Sequence, residues 1–135
     1  MPPIRILLVD DNLDFLDVAT HFLTTEPKLE IVGRARSGHE ALKQIAQLQP
    51  DLVLLDLAMP EMSGLEVVRQ LKAKLEWPRV IILTLHDSQE YRLLAENIGV
   101  DGFITKSDFG TELLPLIHTL FNSPGDSPPV PQNNS

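Results

Sequence analysis

Five short apolar runs, Ile4 to Val9, Leu29 to Ala35, Leu52 to Leu55, Val80 to Thr84 and Gly102 to Thr105, are each followed by a segment with apolar residues at helical spacing. Such alternation points to a parallel sheet, because parallel neighbours need a long crossover and a helix supplies it. The runs are continuously apolar rather than alternating, as expected when helices cover both sheet faces. Right-handed crossovers then predict an α/β fold, a doubly wound five-stranded parallel sheet, with ligand chemistry at the carboxyl ends of its strands.

The helical segments carry recognisable stripes and ends. Phe15, Val18, Ala19, Phe22 and Leu23 form the first stripe, which stops before Pro27. Ser37 and Glu40 make a capping box for a second helix, with Ala41, Leu42, Ile45 and Ala46 inward and Pro50 closing it. Leu65, Val68, Leu71 and Leu75 give a third stripe, Tyr91, Leu94, Ala95 and Ile98 a fourth, and Leu113, Leu116, Ile117 and Leu120 a fifth.

A chain of 135 residues encloses one core, so a single domain over residues 4–122 is expected. Residues 123–135 hold four prolines, three serines and a single apolar side chain, Val130, and read as a disordered Pro/Ser-rich tail or a truncated linker. The formal charge of −8 argues against a nucleic-acid or anionic-membrane surface, and the absence of cysteine removes disulfides and thiolate chemistry. No apolar run approaches the ~20 residues of a membrane span and no signal-like stretch opens the chain, so a cytoplasmic location is expected.

Asp10 and Asp11 end the first run, Asp56 ends the third, Thr84 the fourth, and Lys106 follows the fifth. In a doubly wound sheet of strand order 2-1-3-4-5 these ends share one crevice. Clustered carboxylates are costly to ionise unless a cation compensates them. Hard oxygen ligands suit Mg²⁺, which prefers near-octahedral oxygen at roughly 2.0–2.1 Å and keeps several waters. Asp11 and Asp56 with a backbone carbonyl would bind it directly, and Asp10 through a water. A carboxylate beside such an ion can attack phosphorus, with Lys106 neutralising the transferred oxygens and Thr84 donating a hydroxyl hydrogen bond. His21, His39, His86 and His118 show no metal-ligand spacing and read as surface or edge residues. Met59 and Met62 should pack the loop beside Asp56, and Pro60 and Gly64 fit a rigid turn into the third helix.

The segments Leu-Leu-Val-Asp-Asp-Asn, Leu-Leu-Asp-Leu-Ala-Met-Pro-Glu-Met-Ser-Gly, Ile-Leu-Thr and Gly-Phe-Ile-Thr-Lys resemble, in order and spacing, the receiver domain of two-component response regulators. The resemblance implies a flavodoxin-like (βα)5 fold and a phosphoacceptor signalling role. Asp56 would be the acceptor, Asp10 and Asp11 the acidic metal pair, Ala58 the carbonyl ligand, Thr84 the switch hydroxyl, Phe103 the switch aromatic and Lys106 the phosphate cation. Ala58 and His86, each two residues beyond Asp56 and Thr84, would flank the attacking water and tune loss of the phosphoryl group. Implied partners are a histidine kinase or phosphotransfer protein and, on activation, a second copy of the chain; DNA and membrane contact by the domain itself are not expected. Slow self-dephosphorylation without turnover of an external substrate is implied, so the chain is not expected to be an enzyme.

The chain departs from the family pattern at two positions. Leu85 follows Thr84 where a small residue is usual, so its bulk is expected to narrow access to Asp56. Ser107 follows Lys106 where proline is frequent, so the resemblance does not carry a cis peptide there.

Three other functions compete. A haloacid-dehalogenase-like phosphatase also uses a nucleophilic Asp, Mg²⁺ and a lysine, but a second acid stands two residues after its nucleophile, where this chain has Ala58. A receiver-like scaffold that is never phosphorylated would keep the fold alone. A flavodoxin-like cofactor binder would cradle phosphate after the first strand, where two carboxylates here repel it. The Gly-Val-Asp-Gly-Phe-Ile-Thr-Lys-Ser stretch is similar to receivers of the NarL/FixJ type, which would make the proline-rich end the start of a linker to a helix-turn-helix domain; a stand-alone receiver fits the same letters.

Overall fold

The computed structural model describes residues 2–74, 78–85 and 88–121. Its strands are β1 (Ile4–Val9), β2 (Leu29–Ala35), β3 (Leu52–Asp56), β4 (Arg79–Thr84) and β5 (Gly102–Thr105). The helices are α1 (Leu13–Thr24), α2 (Gly38–Leu48), α3 (Gly64–Lys72), α4 (Gln89–Ile98) and α5 (Phe109–Phe121), with a short 3₁₀ turn over Lys106–Asp108 before α5. The sheet runs β2-β1-β3-β4-β5 with every pairing parallel, as the alternation of runs predicts.

Side-chain alternation along the strands sorts the core into two layers. Leu7, Val9, Val53, Leu55, Val80 and Ile82 face α2 and α3, where Ala41, Ile45, Val67, Val68 and Leu71 are buried against them. Ile6, Leu8, Leu52, Leu54, Ile81, Leu83 and Ile104 meet α1 and α5 through Leu16, Ala19, Leu23, Phe109, Leu113 and Ile117. Both faces are covered, which explains the continuously apolar strands.

The helix stripes shift in detail. Val18 is 60% exposed, and Leu16 fills the inward position in α1. Ala46 lies outside the core, and Val67 joins Val68 within it. On α4 only Ala95 is buried, while Tyr91, Leu93 and Leu94 stay largely in solvent. Helical spacing identifies a stripe's period, but the sheet decides which part of it is covered. Leu75 lies outside the described residues, as do residues 122–135.

Four helix starts are capped by the side chains that stand there, α4 by Ser88, which accepts from the Tyr91 N–H. Asn12 accepts from the Phe15 N–H, Ser37 from Glu40 N–H, and Ser63 from Glu66 N–H. The capping box at α2 is displaced by one residue: the Glu40 carboxylate accepts the Arg36 N–H at 2.6 Å rather than that of Ser37.

The segment between β3 and α3 is tightly folded. Gly64 N–H donates to the Leu57 carbonyl at 2.9 Å, and a Cβ at Gly64 would collide with the Asp56 carbonyl oxygen. Met62 N–H closes on the Pro60 carbonyl at 2.7 Å around Glu61, whose φ is 71°. Met59 and Met62 are both buried beneath this loop, as anticipated.

Candidate functional site at the carboxyl ends of the strands

The 2-1-3-4-5 order places β1, β3, β4 and β5 side by side, so the residues ending them converge. Asp10 directly follows β1, Asp56 is the last residue of β3, Thr84 the last of β4, and Lys106 the first after β5. Asp10, Asp56 and Thr84 are all buried at this edge, and the Lys106 side chain is only 8% exposed.

The Asp10-Asp11-Asn12 sequence serves helix capping and site chemistry at once, through different residues. Asn12 caps α1. Asp10 receives the Asn12 N–H on Oδ1 at 2.9 Å, which fixes its carboxylate and turns Oδ2 toward Lys106. That Oδ2 is buried, lies 2.6 Å from Lys106 Nζ, and has no aligned hydrogen bond. Lys106 Nζ is also 3.7 Å from Asp56 Oδ1. One buried ammonium thus faces two carboxylates.

Asp10, Asp11 and Asp56 each offer a carboxylate oxygen, and these lie within 4.8 Å of one another. A compact, all-oxygen donor set with an under-coordinated buried oxygen fits a small hard cation. The sequence-predicted cluster is therefore brought together. Burial, with the negative charge of Asp10, pushes the Asp56 carboxyl from 3.8 up to about 7; Lys106 and the Ala58 backbone N–H pull it the other way, and Asp11 adds to the rise.

Thr84 and Phe103 belong to the other layer. Ile82 pairs with Phe103 and Thr84 with Thr105 across β4 and β5, so Thr84 and Phe103 are diagonal neighbours on the face toward α3 and α4. Phe103 is half-buried, and its ring lies 4.6 Å below the Arg92 guanidinium, which also donates to the Phe103 carbonyl at 3.4 Å. Sequence reasoning did not single out Arg92.

Among the described residues every peptide bond is trans, including the one into Ser107. Thr105 Oγ1 lies 3.0 Å from Ser107 Oγ and donates to Asp108 Oδ2 at 3.1 Å, so side-chain hydrogen bonds span the turn that carries Lys106. Leu85 is 70% exposed, its bulk directed mostly into solvent. Ala58 is exposed at the rim, and His86 lies outside the described residues. His21, His39 and His118 are exposed, in keeping with a surface role.

A second residue absent from the sequence-based set is Phe15. Its ring centroid lies 4.4 Å from Lys106 Nζ and 5.5 Å from the Phe109 ring in an edge-on arrangement. Helical spacing marked Phe15 only as a core position.

This crevice of acids and one lysine at the strand ends of a 2-1-3-4-5 sheet defines a class, the phosphoryl-accepting signalling domains. The chain matches the response regulator receiver domain over residues 6–118 and belongs to that family. It is 33% identical over 123 residues to the response regulator protein VraR of Staphylococcus saprophyticus, a match covering 90% of this chain and 58% of that protein. It is 35% identical over 116 residues to the transcriptional regulatory protein YdfI of Bacillus subtilis, covering 86% of this chain and 53% of the relative. The signal receiver domain of the response regulator NarL from Mycobacterium tuberculosis superposes with a TM-score of 0.83 at 28% identity, covering 89% of this chain and 97% of that one. The chain thus spans little more than half the length of these curated relatives. No helix among the described residues is long and apolar enough to cross a membrane.

Proposed function

We propose that Asp56 accepts a phosphoryl group from the phosphohistidine of a histidine kinase or phosphotransfer protein. The single observation that carries this reading is the buried Lys106 ammonium, 2.6 Å from Asp10 and 3.7 Å from Asp56, facing a cluster of three carboxylates. An Asp56 carboxylate oxygen forms the new bond to phosphorus as the bond to the donor imidazole nitrogen breaks. Lys106 would balance charge on the transferred oxygens, and the Thr84 hydroxyl would donate to one of them. Asp10, Asp11, Asp56 and the Ala58 carbonyl would hold Mg²⁺, which supplies further charge neutralisation when bound.

The new charge would bias Thr84 and Phe103 between two arrangements and so reshape the surface around α4, β5 and α5, including contact with a second copy of the chain. Ala58 and His86 would set the lifetime of the modified form. Residues 4–122 constitute the signalling unit in this reading, and 123–135 a tail or linker. Likeness to the transcriptional regulatory protein YdfI supports coupling to transcriptional output.

Ala58 occupies the position where a haloacid-dehalogenase-like phosphatase carries its second acid, which disfavours turnover of external phosphoesters. The family also includes receivers in protein-glutamate methylesterases, such as that of Halalkalibacterium halodurans, 39% identical over 104 residues but with only 30% of its length matched. That reading would need catalytic residues outside the matched region.

Incubation with acetyl phosphate, with and without Mg²⁺, tests the proposal. Label should appear only with the metal and vanish in Asp56→Ala. Label that persists in Asp56→Ala overturns the acceptor assignment, and an unlabelled wild-type chain favours the unphosphorylated scaffold.

A further inference from the structure

We propose that Phe15 is a positioning residue for phosphoryl transfer, acting through Lys106; this deepens the phosphoacceptor reading and rests on it. The ring face presents negative quadrupole density to a cation, and Lys106 Nζ sits 4.4 Å from its centroid, inside the range where that attraction operates. The same ammonium has Asp10 at 2.6 Å and Asp56 at 3.7 Å. Two carboxylates at unequal distance would draw an unconstrained lysine head toward the nearer one. The ring supplies a third, uncharged wall that holds the head without competing for phosphoryl oxygens, and it keeps water from that side.

Phe15 is itself braced. Its edge meets the Phe109 ring at 5.5 Å, and Phe109 packs on Phe22 at 5.0 Å. Phe15 and Phe22 come from α1, which begins just after the acidic pair, while Phe109 opens α5 three residues after Lys106. The aromatic cluster therefore ties the element that follows Asp10 and Asp11 to the turn that carries their counter-cation. A shift of either end displaces the ammonium relative to the acceptor, and transfer is sensitive to errors of that kind.

Initial rates of phosphorylation by acetyl phosphate, at saturating Mg²⁺ and varied donor, test this in Phe15→Leu, Phe15→Met, Phe15→Tyr and Ile117→Val. Both variants lacking the ring should lower the maximal rate by roughly three- to thirtyfold, the range of a partly desolvated cation–π contact, with little change in the donor concentration for half-saturation. Phe15→Tyr, which keeps the ring, should stay within about twofold of wild type, and so should Ile117→Val, which trims packing in the same core layer outside the aromatic cluster. The Lys106 ε-methylene proton resonances should lose their ring-current shift in Phe15→Leu and keep it in Phe15→Tyr. Maximal rates within about twofold of wild type in both ringless variants overturn the proposal, as does an equal loss in Ile117→Val or no recovery in Phe15→Tyr. A wild-type chain that takes no label overturns the acceptor reading itself, and this proposal with it.

Discussion

Lys106 Nζ is closer to Asp10, at 2.6 Å, than to Asp56, at 3.7 Å, so the lysine leans toward the carboxylate that is not the proposed acceptor. A divalent ion in the same acidic cluster would compete with that ammonium for Asp10. Replacing Lys106 by Met should therefore tighten Mg²⁺ binding, on the order of tenfold, because a competing unit charge is removed from a partly desolvated site. The same variant should slow phosphorylation by acetyl phosphate. Isothermal titration with Mg²⁺ and labelling rates check the two effects, and weaker Mg²⁺ binding would contradict the competition.

Burial raises the Asp56 carboxyl from 3.8 to about 7, so between those pH values the folded chain holds a proton that the unfolded chain has released. Its contribution to stability is fully present below 3.8 and is lost as pH rises to about 7, by at most ~1.4 kcal/mol per unit. In metal-free buffer, Asp56→Asn should remove that slope and be the more stable protein at pH 8. Urea unfolding of both proteins across pH 4 to 8 measures the difference; identical slopes would show that Asp56 is not perturbed.

The loop after Asp56 makes two predictions of opposite sign. Gly64→Ala forces a Cβ into the Asp56 carbonyl oxygen and should destabilise the fold by about 1–3 kcal/mol. Glu61→Gly relieves a φ of 71° and should stabilise it by about 1 kcal/mol. Chemical denaturation of the two variants checks both.

Arg92 holds the Phe103 ring at 4.6 Å and its carbonyl at 3.4 Å. Arg92→Ala should cost about 0.5–1 kcal/mol and free the ring to leave its present position. In aromatic NMR spectra, Phe103 resonances should move part of the way toward those of the phosphorylated protein before any phosphate is added. Unmoved resonances would mean that Arg92 does not restrain the ring.

The strand runs, their succession along the chain and the three aspartates were legible because they depend on local pattern: continuous apolar stretches, turn residues and helix caps carry their own signatures. Asn12 as the α1 cap and Ser37 with Glu40 follow the same logic, although Glu40 reaches Arg36 and not Ser37. The inward faces of α1 and α4 were less legible. Val18 and Leu94 fit the helical period as well as Leu16 does, and only the neighbouring sheet leaves them in solvent.

By itself, then, the sequence determined the α/β class, the element order and the identity of the acidic residues and lysine at the strand ends, since each rests on contacts within a few residues. Tertiary structure alone decided the 2.6 Å approach of Lys106 to Asp10, the Phe15 ring over Lys106 and the Arg92 clasp on Phe103. Phe15 and Lys106 belong to elements at opposite ends of the chain, and no periodicity along a chain encodes which side chains meet once the sheet has brought those elements together.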